Sequence, residues 1–522
     1  MLVRDNWRLA RMKSAQRLEL LLPPAAALCL ISCTLIASHR MPMWLDELYT
    51  YYAISHDSFA AFLRSYRTGI NGAPPLYFLA TWAVSRVIPL SALSLRLYSS
   101  VASGVALFFI WTTLRRYTGF FVCSVATLTP FLTSNLFLEH NSEARFYGLY
   151  IALLGWSTYK YDQLCTLRSP SRRQLFSNSV SHGLAVSCTY VAGCYSCAIL
   201  LALIIRDYSL GLWRPKVYLS VLAGWLPMLF YAPLILSQKD ATKWLHVPGL
   251  GAIFNPIHLG IEAYFVLFAF AGLVAIALLR QHHSSGSIGA ASESHAEKKD
   301  FLHLVILAFT FLAVPYGLLI ISWAGFPLLH PRYALPSLIG VALLLGFVIS
   351  GLFSKLPGTA PDREVNATGV AEISDSILRA VLLASLLVYP LGIATVLPSR
   401  CSLCNVASQD VQINEMDLAT SDWHSYLPLY FQSGENRRIY FVLKTSKQRD
   451  LCARFNPRLN PITVDDFLAS HERFQILSVD AGMEWLETEL IRRGGFRITT
   501  EERSEKRKLL TVVAQREIPP HQ

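Results

Sequence analysis

Charged residues are scarce in this chain of 522 residues, because Asp, Glu, Lys and Arg together make up only 16% of it. An ordinary soluble domain carries about 25% charged residues. The hydrophobic share of 53% and the mean hydropathy of +0.38 therefore argue against a soluble enzyme. The net charge is +11, but the basic residues form no single stripe. We expect no nucleic-acid partner for such a pattern.

The chain contains many long apolar runs. Many of them, such as Leu18–Ala37 and Phe301–Trp323, reach about the 20 residues that a helix needs to cross a bilayer. They are apolar on all sides, so they face lipid or other helices. We predict about eleven spans, at approximately residues 18–38, 91–114, 119–138, 146–162, 178–192, 193–206, 217–236, 258–279, 301–323, 333–353 and 376–397. The first lacks a clear cleavage site and is predicted to be an uncleaved helix.

Lys and Arg predict the orientation of these spans. They are concentrated in the N-terminal tail and in alternate loops, from the pair Arg115–Arg116 to Lys355. The rule that positive loops stay inside places the N-terminus in the cytoplasm, and an odd number of spans then places the C-terminus outside. The apolar segment Pro74–Leu90 contains Arg86. We predict a helix lying in the outer interface there, because a further crossing would upset the charge pattern.

Residues 399–522 have the pattern of a separate soluble domain. Strand-like runs occur at 438–444, 474–480, 496–502 and 509–515, and a helical run, Met483–Arg493, ends at Gly494-Gly495. The sequence thus predicts an α-helical polytopic membrane domain (1–398) and a small C-terminal α/β extracytoplasmic domain (399–522). In that compartment Cys401 and Cys404 could form a redox pair, but a structural disulfide, with Cys452 as a candidate member, is favoured.

Two groups of polar residues lie near the predicted outer ends of the first spans. Asp46 and Glu47 are adjacent in the loop after the first span. Placing a carboxylate near the low dielectric of the membrane costs free energy unless it has an ionic partner or a function. Acids in loops are common, however, and many are simply solvated. Glu143 and Tyr147 are four residues apart, which predicts a shared helical face with Arg145 pointing elsewhere. A helix cap with a surface ion pair would look the same.

A third group, His330-Pro-Arg-Tyr-Ala-Leu-Pro336, opens the tenth span. Arg332 lies at its outer end, where the charge rule disfavours arginine, as it does for Arg145. Such an arginine often only extends to lipid headgroups. Two of them on the same side of the membrane as three acids are harder to dismiss. Because arginine binds phosphate with two parallel hydrogen bonds, the pair suits a lipid phosphate or pyrophosphate.

Together these motifs resemble the GT-C superfamily of membrane glycosyltransferases, in the bacterial branch related to protein O-mannosyltransferases and the lipid A aminoarabinose transferase. The resemblance rests on the order of four motifs, which are Trp44-Leu-Asp-Glu47, Ala73-Pro-Pro-Leu-Tyr77, Ser142-Glu-Ala-Arg-Phe-Tyr147 and Arg332-Tyr-Ala-Leu-Pro336. They span residues 20–350. Many relatives have Gln where this chain has Ser142, so the residue before Glu143 departs from the family pattern. Residues 399–522 have no counterpart whose function carries over.

The resemblance implies an inverting transfer of a sugar from a polyprenyl-phosphate donor to an acceptor hydroxyl, on a glycan, lipid or protein, at the outer face of the bacterial inner membrane. Asp46 would be the general base, and Glu47 would support it or hold the acceptor. Arg332 and Arg145 would stabilise the phosphate leaving group. Substrate binding is assigned to Glu143, Arg145, Tyr147, His330, Arg332 and Tyr333.

No cofactor is implied by this set. Asp46 and Glu47 could hold a divalent metal weakly, as in the related oligosaccharyltransferases, but no octahedral set of oxygen ligands is visible. The main alternative is a transporter or flippase of lipid-linked intermediates. The candidate charges lie at the outer ends of the spans, however, and no matching pair of interrupted helices suggests inverted repeats. A third alternative is a scaffold whose outer domain binds a partner.

Overall fold

The computed structural model describes residues 21–70, 72–237, 247–249, 294–326, 328–353, 369–400, 416–436, 438–479, 485–504 and 507–514. The chain divides into two compact units. The bundle unit takes in Met1–His39, Gly72–Tyr77 and Leu93–Leu397, and the sheet unit takes in Arg40–Asn71, Phe78–Ala92 and Pro398–Gln522. The division at Leu397 lies beside the domain boundary that the sequence suggests. The sheet unit also includes two segments from the first 100 residues.

Helices dominate the chain before residue 400. In order they are α1 (Leu21–Ser38), α2 (Leu45–Ile54), α3 (Phe59–Tyr66), α4 (Leu76–Val84), α5 (Ala92–Leu114), α6 (Phe120–Leu132), α7 (Asn135–Asn141), α8 (Tyr147–Thr166), α9 (Arg172–Cys188), α10 (Ala192–Ser209), α11 (Pro215–Ala223), α12 (Leu226–Ser237), α13 (Ser294–Trp323), a 3-10 turn (Pro331–Ala334), α14 (Ser337–Phe353) and α15 (Gly369–Arg400).

Several of these helices can cross a membrane. By length and composition, five in the described part of the chain qualify, namely α1, α5, α10, the Phe301–Trp323 part of α13 and the Ala380–Leu397 part of α15. The bent pair α6–α7 would be a sixth. The predicted span near 258–279 lies outside the described residues, so eleven crossings remain a prediction. Helix α4 has nine residues. At 1.5 Å per residue it is about half as long as the hydrocarbon core is thick.

Two predicted spans are wrong as continuous helices. The third breaks into α6 and α7, which meet at 75°. Pro130 lies in the last turn of α6, and the Ser134 side chain then accepts a hydrogen bond from the Phe137 N–H (3.2 Å), which starts a new helix. The seventh breaks after Gly224. A Cβ at this glycine would lie 2.5 Å from the Cβ of His182, so the break coincides with a close approach to α9.

Buried carboxylates tie the bundle unit together. Asp162 of α8 is fully buried and contacts Arg116 (2.6 Å), the Tyr117 hydroxyl (2.5 Å) and Nε2 of His303 (2.9 Å). Asp207 of α10 is also fully buried, and Arg214 donates to both of its oxygens (2.8 and 2.7 Å). Some of the basic residues that predict the orientation therefore also have buried partners.

The sheet unit contains β1 (Asp417–Thr420), α16 (Trp423–Gln432), β2 (Ile439–Leu443), α17 (Ser446–Phe455), β3 (Pro461–Thr463), α18 (Val464–Ser470), β4 (Arg473–Val479), α19 (Trp485–Arg493), β5 (Phe496–Ser504) and β6 (Arg507–Ala514). The strand order is β3-β2-β1-β4-β6-β5. Strands β3, β2, β1 and β4 pair with one another in parallel. Strand β6 pairs with β4 and with β5 in the antiparallel direction. The core includes Val442, Phe467, Phe474, Leu486 and Leu510.

The local signals in this unit predict four of its strands and one of its helices, whereas β1, β3, α16, α17 and α18 were not predicted. Strands β2, β4, β5 and β6 overlap the four predicted runs, and α19 ends just before Gly494 and Gly495, whose φ angles of 70° and 73° suit glycine. Cys452, a candidate for the predicted disulfide, instead has a free, buried thiol in α17. Cys401 and Cys404 lie outside the described residues.

Candidate active site

The segment between α7 and α8 carries a buried acid and a buried arginine. Nδ1 of His140 lies 2.9 Å from Oε2 of Glu143, and both side chains are buried. The N–H of Arg145 donates to the carbonyl of Glu143 (2.8 Å), which makes a tight turn. The predicted helical face is therefore wrong, because α8 begins only at Tyr147 and both charged residues precede it. Because the chain turns here, Arg145 and Tyr147 can lie in the same group of polar side chains.

Two neighbouring helices hold this segment in place. The amide of Asn141 donates to the carbonyl of Leu30 (3.3 Å) and the hydroxyl of Thr34 (3.1 Å), both on α1. On α5, the Ser99 hydroxyl donates to the carbonyl of Arg145 (2.8 Å). A Cβ at Gly148 would lie only 2.0 Å from the carbonyl oxygen of Ser99, so glycine is needed where α8 begins.

The second arginine comes from the 3-10 turn before α14. Pro331 occupies the first position of this turn, where its missing N–H costs nothing, and Arg332 follows with a buried side chain. The Arg332 guanidinium lies 5.5 Å from the centre of the Tyr333 ring, and the rings of His330 and Tyr333 are 5.9 Å apart. The turn packs against α7, which brings it next to the Glu143 segment.

Tyr147 lies where these two segments meet. Its side chain is 1% exposed, and its hydroxyl is within electrostatic reach of Arg332, Arg145, Glu143 and Tyr333. Among the described residues, the hydroxyl has no hydrogen-bond partner. The structure thus brings together five of the six predicted substrate-binding residues, with His330 beside Tyr333. Two guanidinium groups and a buried hydroxyl form an arrangement that can bind a phosphate.

Asp46 and Glu47, the two predicted catalytic acids, belong to the sheet unit. They lie in the first turn of α2. Glu47 is fully buried, and its Oε2 accepts a hydrogen bond from the N–H of Trp44 (3.2 Å), so its carboxylate caps the helix. Asp46 is only half-buried. The two acids therefore differ: Glu47 has a structural role that the sequence did not predict, whereas Asp46 is accessible to solvent.

The sequence analysis missed three buried residues, of which His140 and Asn141 belong to the same segment as Glu143 and Arg145. His140 pairs with Glu143, Asn141 anchors the turn, and Arg96 of α5 is 1% exposed. Arg96 shares a helical face with Ser99, which contacts the turn. A signal was available for Arg96, because an arginine inside an apolar helix is costly and often functional. In the described part of the chain, no three His, Cys, Asp or Glu side chains are grouped to hold a metal ion.

Comparison with known proteins shows a likeness in structure only. No protein-family model matches the chain. No curated protein matches it in sequence either. Among solved structures, ArnT from Cupriavidus metallidurans bound to undecaprenyl phosphate has a TM-score of 0.55 at 14% identity, covering 94% of this chain and 97% of ArnT. The structure of ArnT in the apo state has a TM-score of 0.49 at 14% identity, and the match again covers 94% of this chain and 97% of ArnT.

A more distant similarity is to the S. cerevisiae protein O-mannosyltransferase Pmt1-Pmt2 complex bound to the sugar donor. It has 17% identity and a TM-score of 0.31, and covers 45% of this chain and 35% of that one. Identities this low show a fold and not an activity. The expected fold is confirmed, because this chain resembles ArnT in structure over nearly its whole length.

Proposed function

We propose that this protein is a membrane glycosyltransferase that moves a sugar from a polyprenyl-phosphate donor to an acceptor hydroxyl at the outer face of the membrane. The observation that carries the proposal is the buried cluster of Glu143, Arg145, Tyr147 and Arg332 within a GT-C-like fold. The ArnT structure of the same fold is bound to undecaprenyl phosphate. A lipid phosphate is the ligand that two buried arginines suit best.

The proposed reaction is a single displacement. The acceptor oxygen attacks the anomeric carbon on the face opposite the phosphate, and its proton passes to Asp46, the base that the family resemblance assigns. The bond between the anomeric carbon and the phosphate oxygen breaks, so the configuration inverts. Polyprenyl phosphate leaves with one more negative charge than the phosphate carried in the donor. Arg332 and Arg145 stabilise that added charge, which develops in the transition state.

The other residues have supporting roles in this proposal. The buried hydroxyl of Tyr147 donates to a phosphate oxygen, since it has no other partner among the described residues. Glu143 orients the cluster through its contact with His140. Tyr333 and His330 line the donor beside Arg332. Glu47 fixes the turn that carries Asp46.

A donor screen tests the proposal directly. Purified protein in detergent is incubated with polyprenyl-phosphate sugars that carry a labelled lipid, with and without a mixture of candidate acceptors. The expected result is release of labelled polyprenyl phosphate from one donor class, and much less release by Arg332→Ala. A transporter or flippase would move the lipid across vesicles and leave it uncleaved. A scaffold would do neither, so uncleaved donors in every combination would contradict the proposal.

The location in the membrane is part of the proposal. We place the chain in a bacterial inner membrane, with its N-terminus in the cytoplasm and residues 399–522 outside, because of the distribution of Lys and Arg. Reporter fusions after Ser287 and Gln522 should report opposite sides. The same side for both would refute the odd number of spans and, with it, an acceptor at the outer face.

A further inference from the structure

Asn456, at the end of α17, connects the sheet to the helix that carries Asp46. Its side chain is buried, and its Nδ2 donates to the carbonyl of Tyr52 (2.8 Å) and to the hydroxyl of Ser55 (2.8 Å). Both acceptors lie at the C-terminal end of α2. Its Oδ1 accepts from the N–H of Arg458 within its own loop (2.9 Å). One amide group thus fixes the loop and holds the helix.

His56, which follows Ser55, and Phe455, which precedes Asn456, make a second connection. Nε2 of His56 donates to the carbonyl of Phe455 (2.9 Å). The backbone carbonyl of His56 accepts from the indole N–H of Trp82 (3.0 Å). The chain just after α2 is therefore held by α17 and by α4, at buried positions where a lost hydrogen bond leaves an unsatisfied polar group.

Aromatic rings extend the connection along α2 toward its N-terminus. Tyr49 makes edge contacts with Trp423 and Phe455, with ring centres 6.0 and 6.4 Å apart. Tyr51 contacts Phe431 in the same way at 5.0 Å. These partners belong to α16 and α17, which flank β2 in sequence. Helix α2 therefore packs against the domain formed by residues 417–514.

The mechanical consequence follows from the length of α2. A helix of ten residues is too short to be stable alone, so its direction depends on the contacts at its C-terminal end and along its length. Asp46 lies nine residues before Ser55, which is about 13 Å along the axis. A tilt of about 4° at the C-terminal end displaces Asp46 by about 1 Å, and a displacement of that size can cost about 100-fold in rate.

We infer that the C-terminal domain positions the catalytic acid, with Asn456 as the positioning residue. This role rests on the proposed function, in which Asp46 takes the proton of the acceptor. The C-terminal domain then acts on the reaction through the direction of α2. Its removal or loosening lowers the rate of transfer and leaves binding of the donor unchanged.

The variant Asn456→Asp separates the two functions of this side chain. The carboxylate keeps the acceptor for the Arg458 N–H, but it cannot donate to Tyr52 or to Ser55. It also places a negative charge at the C-terminal end of α2, where the helix dipole disfavours it. Asn436→Asp is the matched control, because Oδ1 of Asn436 accepts from the N–H of Arg438 (3.0 Å) in the same domain.

Two measurements decide the inference. Asn456→Asp should lower kcat by about 10- to 100-fold, with KM for the donor within twofold of the wild type, when both variants are assayed at a temperature at which they are fully folded. Hydrogen exchange of the peptide covering residues 45–56 should rise in Asn456→Asp alone. Equal kcat values in the two variants, or unchanged exchange in an active protein, would overturn the inference by itself. A wild-type protein that cleaves no donor would remove the proposed function and the catalytic part of the inference together.

Discussion

The ring nitrogen Nε2 of His56 lies 2.9 Å from the carbonyl oxygen of Phe455, 399 residues later in the chain. This contact joins the loop after α2 to the end of α17. It requires a hydrogen on Nε2, which the neutral imidazole supplies. Burial is the largest effect on that imidazole and lowers the pKa of His56 below its ordinary value, and the charge of Arg458 acts in the same direction. The Phe455 carbonyl and Asp57 oppose this effect.

The first prediction concerns pH. The unfolded chain binds a proton at His56 near pH 6.5, whereas the folded chain binds it only at lower pH. The free energy of unfolding should therefore fall as pH drops below about 6.5. His56→Gln keeps a donor for Phe455 but cannot titrate. The melting temperature of the variant should fall less than that of the wild type between about pH 7.5 and about pH 5.5. Identical falls would contradict this role of His56.

The second prediction concerns the two adjacent acids. Asp46→Asn keeps the shape and removes the proton acceptor, so transfer should slow by about 10²–10⁴-fold. Glu47→Gln keeps an oxygen that can cap the Trp44 N–H, so its rate should stay within about tenfold of the wild type. The measurement is kcat at saturating donor for both variants, matched for melting temperature. Near-normal turnover in Asp46→Asn would move the base to Glu47 or Glu143.

The third prediction concerns Arg332. Its change to Ala removes a charge-assisted contact worth about 1.5–3 kcal/mol, or about 10- to 150-fold in kcat/KM. Lys keeps the charge but loses the paired hydrogen bonds, so Arg332→Lys should recover only part of the rate. Arg173→Ala, at an exposed position of α9, is the control. Equal rates for Arg, Lys and Ala at position 332 would exclude the phosphate role and leave Arg145 as the better candidate.

The fourth prediction concerns Cys452. Burial raises the pKa of this thiol to about 12, so the reactive thiolate is scarce at pH 8. We expect a maleimide reagent to leave Cys452 unlabelled in the folded protein and to label it quickly after denaturation. Mass spectrometry of the peptide around residue 452 measures this. Rapid labelling of folded protein, or a mixed disulfide at Cys452, would contradict the buried free thiol.

Local sequence signals predict elements better than they predict breaks. The alternating strands and the Gly494-Gly495 stop depend on neighbouring residues, so they could be identified from the sequence. The break between α6 and α7 could not, since a proline inside a membrane helix is often tolerated. The close approach at Gly224 depends on α9, which no local pattern reveals.

The candidate site shows the same division. Arg145 and Arg332 stood out because they oppose the charge rule, and the structure brings both near Tyr147. The capping role of Glu47 was missed because the sequence does not show that a helix begins at Leu45. Asn456 was missed because a polar residue in a soluble domain is unremarkable until its distant partners are known.

The buried contacts of Asp162 have a consequence for biosynthesis. Arg116 precedes it by 46 residues, but His303 follows it by 141 residues. At about 5–20 residues per second, His303 leaves the ribosome about 7–30 s after Asp162. During that interval the carboxylate has only its earlier partners, Arg116 and Tyr117. We therefore expect α5 and α8 to associate first and α13 to join them later, which makes a carboxylate the point where the two halves of the nascent bundle meet.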